Sequence, residues 1–87
     1  MAEMKSEIKL SKKAKLLKLG IYEHYKKNRY LVLGVAVHSE TLEELVMYKA
    51  LYGKRLTWVR PLKMFLENVE IEGVKRPRFR YIGKIKH

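Results

Sequence analysis

Three groups of residues in this 87-residue chain have types and spacing that could do chemistry. The first is His38-Ser-Glu40, with His24 upstream. A His-x-Glu pair on one extended edge could chelate a metal if His24 closed the set. That spacing is shared by many hydrogen-bonded structural histidines, so no metal site is assigned. Ser39 or Thr41 beside His38 does not make a nucleophile either. Neighbours on a strand point to opposite faces, and no oxyanion-stabilising motif accompanies them. No catalytic residue and no cofactor is predicted.

The second group is Trp58-Val-Arg60. Two residues apart on a strand, Trp58 and Arg60 share a face. An arginine beside an aromatic, with Tyr48 or His38 near, suits a phosphate or a planar base. The competing expectation is structural: Arg60 pairs with Glu40, and Trp58 fills a small core. His24, His38, Glu40, Tyr48, Trp58 and Arg60 are therefore the candidate ligand-pocket residues.

The third is the basic run RPRFRYIGKIKH, residues 76–87. Period-two alternation puts Arg78 and Arg80 on one face of a strand and Phe79 and Tyr81 on the other. With the aromatics turned inward, the arginines project. Lys75 and Arg76 join them from the preceding loop, and Lys84 and Lys86 from the tail. Such a stripe can track a phosphate backbone. Lys12, Lys13 and Lys15, with Lys9 and Lys18, could add a second basic arm.

Bulk charge agrees with that third group. Twenty Lys and Arg against nine Asp and Glu give +11. Residues 1–20 hold six lysines against Glu3 and Glu7, and residues 73–87 hold six cations and no acid, whereas residues 21–72 have eight bases against seven acids. The positive field sits at the two ends of the chain and favours anionic partners, nucleic acid first among them. A protein that is merely basic and soluble would have the same composition. There is no cysteine, which removes disulfides and thiolate metal sites. The longest apolar run, Tyr30–Val37, is far short of the ~20 residues of a membrane span. No leader-type apolar segment follows the first lysines, and a cytoplasmic protein is expected.

The elements that must position these groups follow from pattern. Length sets one domain. Ser11 caps a short helix over residues 11–19, with Leu10, Ala14 and Leu17 on one face and Gly20 as its stop. The segment IYEHY (21–25) leads into a hairpin turn at KKN, with Asn28 as the left-handed residue. RYLVLGVAV (29–37) is apolar on both parities and predicts a strand buried on both faces, bent or bulged at Gly34. Residues 38–53 are ambiguous: Thr41 and Glu44 fit a helical capping box, yet side-chain parity over LVMYKALY favours a strand, with HSET as the turn before it. LTWV (56–59) is a strand, PLKMFLENV a helical turn begun by Pro61, VEI (69–71) a short strand, EGVKRP a loop and RFRYI (78–82) the last strand.

The ordered run HSET, LVMYKALYG, WVRPLKMF, then PRF, together with GIYEHYKKNRYLVLGVAV, resembles the domain of unknown function 1653 family over residues 20 to about 82. The resemblance implies a small SH3-like β-barrel and supplies no activity. His24, Tyr25, His38, Glu40, Thr41, Tyr48, Tyr52, Trp58 and Arg60 are the polar and aromatic residues of those motifs. Members often carry glycine where this chain has Leu42 and near Lys27, and an arginine at Glu23. The lysine-rich start lies outside the match.

The expected protein is thus mainly β: a basic N-terminal extension (1–19, flexible or a short helix), a small SH3-like β-barrel (20–83) with a helical turn near 61–66, and a basic tail (84–87). Its expected role is non-enzymatic binding of nucleic acid, RNA or a ribonucleoprotein, through the basic ends. The alternatives are a small anionic ligand or acidic peptide in the motif pocket, and an acidic protein partner.

Overall fold

A computed structural model describes residues 9–85. Lys86, one of the tail cations expected to touch nucleic acid, lies outside the described residues.

Ser11 caps the first helix. Its hydroxyl accepts from the Ala14 amide at 3.1 Å, and helix α1 (Lys12–Leu16) follows. The helix is a single turn. Leu17 is already extended, so Gly20 is not its stop. Gly20 opens strand β1 (Gly20–His24) instead, where its φ is +138° and a β-carbon would lie 2.6 Å from the Gly83 carbonyl oxygen. The glycine is required by close strand approach. Only Ala14 of α1 is fully buried, and Leu10 and Leu17 pack beside it against the core, as the apolar spacing predicts.

The other strands are β2 (Arg29–Val37), β3 (Glu44–Ala50), β4 (Thr57–Pro61), β5 (Asn68–Ile71), β6 (Val74–Pro77) and β7 (Phe79–Gly83). Helix α2 (Leu62–Phe65) directly follows Pro61. All pairings are antiparallel. The main sheet has the order β4-β3-β2-β1-β7, and β5-β6 forms a separate ribbon. The molecule is mainly β, as expected. These pairings leave β4 and β7 at the edges of the main sheet and close no ring of strands among the described residues. The sheet nevertheless coils enough to bring the Phe79 ring of edge strand β7 within 5.5 Å of the Tyr48 ring of β3.

The segment that could have been helix or strand is a strand. Residues 38–43 form the turn before it, with Leu42 at φ 64°, a conformation that suits glycine. His38 Nδ1 accepts from the amides of Glu40 and Thr41, and Thr41 Oγ1 from Glu43. These local bonds take up the donors that a helix start would have needed.

Three further expectations are corrected. In the β1–β2 turn the left-handed residue is Lys27 (φ 85°), not Asn28. Strand β2 is not buried on both faces: Val32 is buried, but Leu33 is exposed at the bulge before Gly34, where the register shift turns it outward and no described element covers it. EGVKRP is not a loop. Glu72 and Gly73 both have positive φ, the geometry of a two-residue hairpin turn, and Val74–Pro77 returns as a strand along β5. All four β6 residues are exposed, so no alternation announced it.

The core is aromatic. Tyr22, Tyr48, Phe65 and Phe79 are buried with Val32, Val46 and Leu62. Phe65 stacks on Phe79 at 4.2 Å, and Tyr22 meets Phe65 edge-on at 5.4 Å. Helix α2 supplies both Leu62 and Phe65, closing one end of the coiled sheet. Such rings contribute most of the buried area available to a domain this small.

Candidate functional site

Two neighbouring surfaces emerge at the end of the sheet where β1 turns into β2. The first is a hollow of about 310 Å³. Lys27 enters it from the β1–β2 turn, Arg76 from β6 and Arg80 from β7, with His24, Tyr25 and Pro77 between them and Glu23 at its base. Two pairings build it: β1 with β7, which sets Glu23 opposite Arg80, and β1 with β2, which sets Glu23 opposite Arg29. Glu23 accepts from Arg80 Nη2 at 2.9 Å and lies 3.6 Å from Arg29 Nε. The Arg80 bond is the main cause that holds the Glu23 carboxyl below its ordinary range. One carboxylate thus serves two arginines, and the cluster of Lys27, Arg29, Arg76 and Arg80 keeps an excess of positive charge.

The second surface is a cleft of about 220 Å³ lined by Tyr30, Tyr48, Tyr52, Trp58 and Arg60. The β3–β4 register puts Trp58 directly opposite Tyr48, and Arg60 opposite Val46, on the same face. Tyr48 is buried and forms the floor. Trp58, on the edge strand, is 50% exposed. Arg60 is half-buried, donates from Nε to the Tyr48 hydroxyl at 3.2 Å, and lies 5.8 Å over the Phe79 ring. The Tyr30 and Tyr52 hydroxyls are 2.6 Å apart and close the far wall.

His24 lies between the two surfaces. Its ring meets Phe79 at 4.9 Å and Tyr30 at 6.5 Å, and its Nδ1 accepts from the Lys26 amide. Burial, then the charges of Arg60, Arg78 and Lys26, hold its pKa below the ordinary histidine value. The imidazole is therefore neutral at pH 7, and that positive surrounding marks where a negative group would be welcome.

The structure divides the residues singled out in the sequence. Tyr48, Trp58 and Arg60 come together, and His24 adjoins them. His38 and Glu40 do not. They sit in the β2–β3 turn, at the opposite end of the long hairpin from the Tyr30–Ala50 pair, about 20 Å away at ~3.3 Å per strand residue. Arg60 consequently has no pairing with Glu40, and Trp58 does not fill the core. Among the described residues no group of three or more His, Asp or Glu gathers in metal-binding fashion.

The basic stripe is divided as well. Arg80 and Arg76 face the hollow. Arg78 does not project: it pairs with Glu67 at 3.2 Å, and its Nε is buried without a hydrogen-bond partner. Lys75 is exposed on β6, opposite Glu70. Lys84 lies past the other end of β7, beside Ile21 and Ile82. Lys12, Lys13 and Lys15 are exposed on α1, and Lys13 lines a different hollow with Glu43, Glu44 and Glu67. Sequence reasoning missed Lys27, Tyr30 and Glu23 as site residues. The single available signal was that Lys27 belongs to the KKN turn; its meeting with Arg76 and Arg80 depends on the β1–β7 pairing.

An open, coiled antiparallel sheet around an aromatic core, with a cationic hollow and an aromatic cleft at one end, defines the class. The chain belongs to the family described as Protein of unknown function (DUF1653), whose profile matches residues 20–81. It is similar to the crystal structure of a DUF1653 protein from Bordetella bronchiseptica, at 34% identity and a TM-score of 0.77, over 85% of this chain and 97% of that one. No curated protein matches it. The resemblance carried by the motifs is therefore family membership, and the fold is shared.

Proposed function

We propose that this protein is a non-enzymatic binding module of the cytoplasm that takes single-stranded RNA by its phosphates at the hollow lined by Lys27, Arg76 and Arg80. One observation carries the reading: cations from three separate segments converge around the lone carboxylate of Glu23. Neutralised phosphates release counterions, so such a surface binds polyanions with a strong salt dependence and little sequence preference. Lys75 extends the surface along β6. Arg78 contributes by holding the β6–β7 bend through Glu67 rather than by contact. Lys12, Lys13, Lys15 and Lys84 add long-range attraction from other faces.

The test is anisotropy of a labelled single-stranded RNA octamer at rising KCl. The affinity should fall linearly with salt on a double-logarithmic plot. The double variant Lys27→Glu/Arg76→Glu should bind at least ten-fold more weakly and with a shallower slope, by about 0.7 per lost phosphate contact on a single strand. Glutamate at Lys12 and Lys13 should cost less. Absence of binding at low salt, or binding indifferent to salt, overturns the proposal.

A further inference from the structure

We infer that the cleft walled by Trp58 and Arg60 is a nucleotide site, taking one heteroaromatic ring against the Trp58 indole and its phosphate at the Arg60 guanidinium. This deepens the RNA reading, on which it rests for the identity of the strand. It stands on observations of its own.

The first is the tryptophan. It is the one tryptophan of the chain, and the core is completed by Tyr22, Tyr48, Phe65 and Phe79 without it. Trp58 stands half out of the surface, one side toward Tyr48 and the other open to solvent. A rigid indole so placed is a stacking platform, and every base offers it a π face.

The second is the arginine. Arg60 is half-buried among rings, and no carboxylate among the described residues lies within 4.0 Å of it. Glu23 is committed to Arg80 and Arg29, and Glu67 to Arg78. A partly desolvated cation without a counter-charge favours an anion strongly. Nε is held by the Tyr48 hydroxyl, which fixes the guanidinium plane and leaves the terminal amino groups to a phosphate.

The third is the tyrosine pair. One of the Tyr30 and Tyr52 hydroxyls donates to the other, and the acceptor keeps its own proton to offer a base edge. At about 220 Å³ the cleft has room for one heteroaromatic ring, with the remainder of a nucleotide at its open mouth. Aromatic walls can also attract organic cations, but the Arg60 charge inside this one opposes them. His24 lines the basic hollow and its ring lies 6.5 Å from that of Tyr30 in the cleft wall, so the two surfaces adjoin through one side chain.

Because Trp58 is the sole tryptophan, its fluorescence reports the site directly. Adenosine 5′-monophosphate should quench it saturably, and adenosine or ribose 5-phosphate alone should bind more weakly. Arg60→Gln should remove the advantage of the nucleotide over the nucleoside. With the labelled octamer, Trp58→Ala should weaken binding about ten-fold or more and leave the salt slope unchanged, and Trp58→Phe should keep most of the affinity. Saturable quenching by the monophosphate without octamer binding would retain the cleft as a free-nucleotide site and sink the RNA reading. Octamer binding that neither quenches Trp58 nor responds to Trp58→Ala would overturn the cleft and leave the phosphate surface standing.

Discussion

The Tyr30 and Tyr52 hydroxyls, from the first residue pair of the β2–β3 hairpin and the loop beyond it, share one hydrogen bond of 2.6 Å. Burial, and then this bond with Tyr52, push the Tyr30 phenol up to about 12. An unfolded tyrosine titrates near ~10. Between those values the native state holds a proton that the unfolded chain has released, so stability should fall as pH rises through this window. A phenol titration assigned to Tyr30 by NMR should show it still protonated at pH 11. Tyr52→Phe should lower its pKa without restoring the ordinary value, because burial is the larger cause. A Tyr30 that ionises near 10 in the native protein would refute this.

Gly20 and Gly83 make a matched pair of substitutions. A β-carbon on Gly20 meets a backbone oxygen at 2.6 Å, at a φ that side chains rarely adopt. The same carbon on Gly83 meets nothing within 4 Å. Gly20→Ala should destabilise by about 3 kcal/mol, and Gly83→Ala by less than about 1 kcal/mol, in urea unfolding. Equal losses would show that the β1–β7 approach is looser than described.

Helix α1 is tied to the sheet by one carboxylate. Ser11 donates both its amide and its hydroxyl to Glu44, each at 2.6 Å. The Ser11 hydroxyl, then its amide, hold the Glu44 pKa below the ordinary value. A depressed carboxylate stabilises fully above its unfolded pKa, and the effect is lost as pH falls through the folded one. Amide protection factors over residues 12–17, taken relative to the intrinsic rate at each pH, should therefore fall on acidification before those of the core. Ser11→Ala should remove about 1 kcal/mol through the lost cap, and Glu44→Gln should speed exchange in the same segment at pH 7. Protection in α1 that ignores both Glu44→Gln and acid would discount the tether.

What pattern could reveal here was local. Ser11 as cap, the Leu10-Ala14-Leu17 face, the β3 parity and the bulge at Gly34 each depend on a few adjacent residues, and each is found. β6 was invisible because every residue of it is exposed and its turn uses Glu72 where asparagine or aspartate is usual. The candidate site was legible by halves. Trp58 and Arg60 share a face because strands alternate, so their association followed from spacing. Lys27 with Arg76, and Tyr30 with Tyr52, meet only through strand order and sheet coiling, which no spacing encodes. The same limit misplaced His38 and Glu40: both parities of β2 are apolar, so nothing in the pattern said how far the hairpin carries its tip from Tyr48.

The pairing of β1 with β7 also gives the sheet a single port. Ile21 is opposite Gly83, so the chain enters and leaves the sheet side by side, at the end remote from His24 and the cleft. Among the described residues neither flank, 9–19 or 84–85, lines the Trp58 cleft. A sheet whose two ends leave together suits splicing into a host loop or relinking head to tail, provided α1 travels with it, because Ala14 is part of the core.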